Sequence, residues 1–130
     1  RRIILLDTHV WVWSVVKHPN LSVFHAGIIE RERNNLAISI VTCWEISTRV
    51  SKGRLQFPTT LREWFDYAIA ESSIAVLPLT PLITMDAYDL PGTFHDGPAD
   101  RMIVVTARNR EIVLLTEDKK ILNYSHVQTA

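Results

Sequence analysis

The stretch RIILLD, residues 2–7, indicates the fold, because it is a short aliphatic run that ends in an acid. Continuous apolar runs of this length are typical of parallel strands that are buried on both faces. Three later runs share this character: LAISIV (residues 36–41), IAVLPL (residues 74–79) and EIVLLT (residues 111–116). Together the four runs predict a mainly parallel sheet.

Helical patterns lie between these predicted strands. Five apolar residues from Leu61 to Ile69 follow the i, i+3, i+4, i+7, i+8 rule of an amphipathic helix. Other predicted helices are marked by Leu21, Phe24 and Ile28, by residues 42–52 before Gly53, and by the apolar residues 99–109. Strands that alternate with helices predict an α/β fold, a three-layer α/β/α sandwich that forms a single domain over residues 1–130.

The composition narrows the class of protein. The 130 residues are 47% hydrophobic, enough for a sizeable core, and 14 basic residues balance 14 acidic ones, which excludes a strongly basic nucleic-acid coat. The single cysteine can form neither an internal disulfide nor a cysteine zinc cluster. Since no apolar run is long enough to span a membrane and no signal peptide is visible, we expect a cytoplasmic protein without a membrane partner.

Acids follow several of the predicted strands. Asp7 ends the first run, Glu45 lies shortly after the second, and Thr116 and Asp118 follow the fourth. Because ligands of open parallel sheets bind outside the carboxyl ends of the strands, these side chains are expected to meet at one edge.

Each of these acids also has a purely structural interpretation. Asp7 and Asp118 could cap the helices that follow them. Thr42 and Glu45 have the spacing of a capping box, with Thr42 as the N-cap. For each residue taken alone, these interpretations compete with a functional one.

The segment HDGPADR, residues 95–101, contributes two more acids. Pro98 suits the first position of a helix, so Gly97 is the predicted N-cap and Asp100 lies in the first turn, where it would favour the helix dipole. Asp96 could be a turn acid, and His95 either a surface histidine or a general base or phosphate ligand.

The combination of acids is harder to explain by capping. Two carboxylates at about 5 Å repel each other by roughly 3 kcal/mol at an effective dielectric constant near 20. Serine, threonine or asparagine could cap the same helices without this repulsion. A divalent cation would relieve it, and oxygen-only ligands suit Mg²⁺ or Mn²⁺ rather than zinc.

Four segments now resemble a known family. They are LLDTHVWVW (residues 5–13), SIVTCWEISTRVSKGRL (residues 39–55), LPGTFHDGPADRMIVVTA (residues 90–107) and VLLTEDKKIL (residues 113–122). Their order and spacing resemble those of PIN-domain ribonucleases, specifically the toxins of VapBC-type toxin–antitoxin pairs. One departure is that the family's H-R-D-P-F-D-R appears here as H-D-G-P-A-D-R.

The resemblance implies a PIN-like fold and metal-dependent cleavage of RNA, with an antitoxin partner and a homodimer. It implies that Asp7, Glu45, Asp100 and Asp118 hold Mg²⁺ or Mn²⁺, with Asp96 in direct contact with the metal or one step away. Supporting roles are predicted for Thr8 and Thr116, which would orient water or a carboxylate or else act as caps, and for the basic residues Arg49, Lys52, Arg54 and Arg101, which would contact phosphates or else only face solvent.

Other functions stay open. A catalytically inactive RNA- or protein-binding module is the main alternative, although none of the expected acids is missing. A receiver domain would need an Asp after the third strand, and a haloacid-dehalogenase-type phosphatase would need an acid at His9. The four tryptophans are expected in the core or at an interface, and outward-facing Trp11, Trp13 and Trp64 would support dimer and antitoxin contacts.

Overall fold

The computed structural model describes residues 2–130. The strands are β1 (Ile4–Leu6), β2 (Leu36–Ser39), β3 (Ala75–Leu77) and β4 (Val113–Leu115). The helices are α1 (Thr8–Val16), α2 (Val23–Arg31), α3 (Ile40–Ser51), α4 (Leu61–Ser72), α5 (Pro81–Asp86), α6 (Pro98–Arg110) and α7 (Lys119–Leu122). No helix in this part of the chain is both long enough and apolar enough to cross a membrane.

The four strands form one parallel sheet in the order β3-β2-β1-β4. Ile4 of β1 is in register with Leu36 on one side and with Val113 on the other. The chain adds β2 and β3 on one side of β1, and then places β4 on its other side. This reversal opens a crevice beyond the carboxyl ends of β1 and β4.

Two cores confirm the predicted sandwich. Ile4 and Leu6 face a core that also contains Trp11 and Trp64, from α1 and α4. Leu5 lies between them in sequence and faces the opposite core, which is built on α6 and α7. Since side chains alternate across a strand, this division places helices on both faces of the sheet.

The predicted start of the helix over residues 42–52 is wrong. α3 begins at Ile40, directly after β2, and Ser39 is its N-cap, with the Ser39 hydroxyl accepting a hydrogen bond from Val41 N–H at 3.0 Å. Thr42 is fully buried inside the helix, so Thr42 and Glu45 do not form a capping box. The predicted N-cap Gly97 of α6 is confirmed, with Pro98 in the first position and Asp100 in the first turn.

The aromatic residues are distributed differently from the prediction. Trp11 is fully buried and Trp64 is 5% exposed, so neither faces outward. Phe57 stacks on Trp64 with a centroid distance of 4.0 Å. Phe24, by contrast, is 63% exposed, and the neighbouring His25 is buried in its place. The apolar surface of the protein is therefore formed by other residues.

Candidate active site

A cavity of ≈ 300 Å³ lies at the carboxyl edge of the sheet. Four acids line it, and they come from four distant segments: Asp7, Glu45, Asp100 and Asp118. The other lining residues are Thr8, His9, Trp44, Arg49, Gly97, Pro98 and Ala99. The fold thus brings the four acids to one place.

Asp7 lies between β1 and α1 and is 7% exposed. One carboxylate oxygen accepts a hydrogen bond from Thr8 N–H at 2.9 Å, so Asp7 caps α1. The other accepts one from the Thr116 hydroxyl at 2.7 Å, across the strand pair that flanks the crevice. Burial raises the pKa of Asp7, although both hydrogen bonds favour the ionised form.

Two threonines fix the position of Glu45. The Thr8 hydroxyl donates to Glu45 Oε1 at 2.5 Å and lies 2.9 Å from the Thr42 hydroxyl. A hydroxyl has a single proton, and a carboxylate only accepts, so Thr42 must donate to Thr8 while Thr8 donates to Glu45. The buried Thr42 is therefore the inner end of a hydrogen-bond chain that reaches the cavity.

Arg49 holds the outer side of Glu45. It lies one helical turn further along α3, and its guanidinium is 3.4 Å from Glu45 Oε2. The same guanidinium contacts His9 Nε2 at 2.6 Å. Because a guanidinium only donates, His9 Nε2 accepts, and the ring is neutral. Burial lowers the pKa of His9, and the charge of Arg49 lowers it further.

Asp100 extends from the first turn of α6, and its side chain is 23% exposed. Its Oδ2 lies 2.9 Å from His95 Nε2, although the geometry is not that of an aligned hydrogen bond. Burial, with the charges of Asp7, Glu45 and Asp118, raises the pKa of Asp100 to about 6, while His95 acts in the opposite direction. The carboxylates therefore interact electrostatically across the cavity.

Gly97 allows His95 to reach Asp100. The Gly97 N–H donates to His95 Nδ1 at 3.1 Å, which leaves Nε2 to face Asp100. A Cβ at position 97 would lie 2.7 Å from the His95 ring, so any larger residue would displace the ring. The sequence signal for this contact is the glycine two positions after the histidine.

Thr116 connects two of the acids. Its hydroxyl is buried, donates to Asp7 and accepts from Asp118 N–H at 3.0 Å. Asp118 caps α7 by accepting a hydrogen bond from Lys120 N–H at 2.8 Å. Capping and convergence on the cavity are thus compatible for both Asp7 and Asp118.

Two predicted site residues lie elsewhere. Asp96 is fully exposed, does not line the cavity, and is 3.8 Å from Arg101. Arg101 is not available to phosphates, because its three guanidinium nitrogens donate to the carbonyls of Ala87, Phe94 and His95 at 2.7–2.9 Å. Arg101 therefore holds the segment before α6 in place through main-chain hydrogen bonds. Its position in the sequence next to Asp100 gave no signal for this role.

The cavity residues fit a hard divalent cation by their chemistry. The donors are carboxylate and hydroxyl oxygens, which Mg²⁺ and Mn²⁺ prefer. Burial is the largest cause of the raised pKa of Asp100, and the charges of the other three acids raise it further, a repulsion that a cation would relieve. Within residues 2–130, however, no three His, Cys, Asp or Glu side chains converge closely enough to hold an ion as they stand. Instead, carboxylate oxygens of Glu45 and Asp7 accept hydrogen bonds from threonine hydroxyls, and one oxygen of Asp100 contacts His95.

The raised pKa of Asp100 predicts a pH dependence of stability. Between its ordinary value of 3.8 and about 6, the folded protein binds more protons at this group than the unfolded chain. The contribution of Asp100 to the free energy of unfolding must then fall as pH rises through this window. In EDTA, we expect Asp100→Asn to have the same free energy of unfolding as the parent at the lower end of this pH window. At neutral pH, its free energy of unfolding should exceed that of the parent by roughly 1–3 kcal/mol. Urea denaturation of both proteins across this range measures the difference, and a constant difference would contradict the prediction.

Comparison with known proteins agrees with the geometry. The sequence pattern of the PIN domain family matches residues 4–127. The chain is 28% identical to Ribonuclease VapC22 of Mycobacterium tuberculosis over 123 residues, which is 95% of this chain and 92% of that protein.

Solved structures show the same fold. VapBC2 from Rickettsia felis, bound to a promoter DNA fragment, matches with a TM-score of 0.74 and 20% identity, over 98% of this chain and 97% of that one. DNA-bound VapBC from Salmonella typhimurium matches with a TM-score of 0.69 and 18% identity, over 100% and 98%. The resemblance of the four sequence segments is confirmed, and the chain belongs to the PIN domain family.

Proposed function

We propose that this protein is a metal-dependent endoribonuclease that acts in the cytoplasm as the toxin of a type II toxin–antitoxin pair. The main support for the proposal is that four acids, Asp7, Glu45, Asp100 and Asp118, line one cavity at the crevice of the sheet. The similarity to a protein named a ribonuclease supports the activity. The similarity to VapBC structures supports the toxin role.

Asp7, Glu45, Asp100 and Asp118 would hold Mg²⁺ or Mn²⁺. When bound, such an ion supplies a water of lowered pKa and neutralises charge on the phosphodiester and its leaving oxygen. Thr8 and Thr116 orient the carboxylates of Glu45 and Asp7 by donating hydrogen bonds to them. These hydrogen bonds fix the orientation of the metal-binding carboxylate oxygens before RNA binds, which lowers the free-energy cost of assembling the site.

The test is incubation of the purified protein with total RNA, with Mg²⁺ or Mn²⁺ and with EDTA, followed by mapping of the new RNA ends. The proposal expects defined new ends only in the presence of metal. Binding of RNA without cleavage under any of these conditions would favour an inactive binding module instead.

An antitoxin and a second copy of the chain are the proposed protein partners. Exposed apolar residues support them: Leu82, Met85 and Tyr88 on or beside α5 are 56%, 63% and 64% exposed. Val23 and Phe24 at the start of α2 are 91% and 63% exposed. Exposed apolar clusters of this kind are typical of protein–protein contacts.

We expect the purified protein to be a homodimer at micromolar concentration, because these apolar residues would gain by burial. Size-exclusion chromatography with light scattering measures the mass directly, against 14.9 kDa for one chain. A Met85→Lys substitution should shift the equilibrium towards monomer if α5 is in the interface. A single-chain mass for the parent protein would contradict the dimer.

A further inference from the structure

Trp44 is an exposed aromatic residue at the rim of the acidic cavity. It is 58% exposed, whereas Trp11 and Trp64 are buried. It directly precedes Glu45 on α3 and lines the cavity together with the four acids. Its main-chain carbonyl accepts a hydrogen bond from Thr48, but the indole has no role in the core. An exposed indole offers a large apolar face to a binding partner, and tryptophan is enriched at contact surfaces.

Trp44 also borders a second, smaller cavity of ≈ 140 Å³ with a basic lining. This cavity is lined by Thr48, Arg49, Lys52 and Arg54 in addition to Trp44 and Glu45. Positions 44, 48 and 52 follow the i, i+4, i+8 spacing, so they share one face of α3 and its end. Within residues 2–130, neither Lys52 nor Arg54 takes part in an ion pair.

The two cavities differ in their effect on an RNA backbone. Four carboxylates repel phosphates, and the formal net charge of zero provides no general attraction. Lys52 and Arg54 provide a local attraction for phosphates, while the charge of Arg49 is partly neutralised by Glu45. The distance along the helix from position 44 to position 52 is about 12 Å. A span of this length allows Trp44 and the two cations to contact different nucleotides of the same strand.

We infer that Trp44 stacks on an unpaired nucleobase next to the phosphodiester to be cleaved, while Lys52 and Arg54 bind the phosphates that run along α3. This inference rests on the proposed nuclease function and adds to it a residue, Trp44, that positions the substrate by contact with a base. Every base has a face that can stack, so Trp44 tolerates different sequences. A base inside a duplex already stacks on its neighbours with both faces, so the interior of helical RNA is excluded at this point.

Kinetics on a short single-stranded oligoribonucleotide in Mn²⁺ test the inference. Trp44→Leu should raise KM about 5- to 100-fold with little change in kcat, whereas Trp44→Phe, which can still stack, should stay close to the parent. Tyr67→Leu is the matched control, because Tyr67 is similarly exposed, at 56%, but lies on α4, outside both cavities. Combining Lys52→Ala with Arg54→Ala should reduce the salt dependence of KM.

Fluorescence gives a readout that does not require cleavage. Single-stranded oligouridylate should quench the emission of the parent more strongly than that of Trp44→Phe, and an RNA duplex should show a smaller difference. Equal quenching, or a KM of Trp44→Leu equal to that of an active parent, would overturn the stacking role while leaving the nuclease function in place. The same result with loss of dimer or antitoxin binding in Trp44→Leu would assign Trp44 to a protein contact. A parent that fails to cleave RNA but shows Trp44-dependent quenching would refute the nuclease function and keep the stacking site.

Discussion

Asp100→Asn is expected to reduce RNA cleavage by about 100-fold or more while leaving the fold intact. Loss of a group that only supports a metal ligand costs about 10- to 100-fold, so loss of a ligand should cost at least as much. Asparagine keeps the shape of the side chain and loses only a modest helix-dipole contribution in the first turn of α6. The rate of cleavage of a defined oligoribonucleotide in Mn²⁺ measures the effect.

Asp96→Asn is the matched control for this variant. Asp96 lies on the same segment, four residues earlier, but is fully exposed and does not line the cavity. It should cleave at the parental rate. Equal activity of both variants and the parent would show that Asp100 is only a helix-terminal acid. Loss of activity in both would return Asp96 to the metal site.

Arg101→Lys is expected to lower the free energy of unfolding by roughly 2–4 kcal/mol, a large effect for a change that keeps the charge. The three carbonyls that Arg101 binds lie on both ends of the segment from Ala87 to His95. A lysine ammonium cannot reproduce this fork, so buried acceptors would lose their partners. The Arg101 guanidinium also lies 5.7 Å from the centre of the Tyr88 ring, and this contact would weaken as well.

Urea denaturation of Arg101→Lys, with Arg110→Lys as control, measures the effect. Arg110 is on the same helix but is exposed, so its replacement should change stability by no more than about 0.5 kcal/mol. Equal stability of the two variants would mean that the segment before α6 is held by other contacts.

The sheet and most of the acidic cavity were predictable, because they depend on strand order and on acids placed directly after strands. Asp7 and Thr116 end neighbouring parallel strands, so their contact at 2.7 Å follows from the topology. The start of α3 was not predictable, since Ser39 and Thr42 are both good caps and only the sheet register ends β2 at Ser39. Local pattern cannot choose between two such residues.

Long-range side-chain contacts also could not be predicted from the sequence. Arg101 follows a proposed metal ligand and therefore suggested a phosphate contact, but its guanidinium turns back to main-chain carbonyls. Trp64 lies on the apolar stripe predicted for residues 61–69, and it packs against Phe57. Trp44 stays exposed beside the cavity, and this exposure depends on how α3 packs, which the sequence pattern does not reveal.

The four carboxylates are proposed to form one binding site for a divalent cation, and calorimetric titration of Mn²⁺ into the parent, Asp100→Asn and Asp96→Asn at neutral pH measures that binding. We expect saturable binding by the parent, affinity weakened about tenfold or more in Asp100→Asn, and unchanged affinity in Asp96→Asn. Equal affinity in the parent and Asp100→Asn, or no saturable binding at millimolar Mn²⁺, would show that the four acids do not bind a cation together.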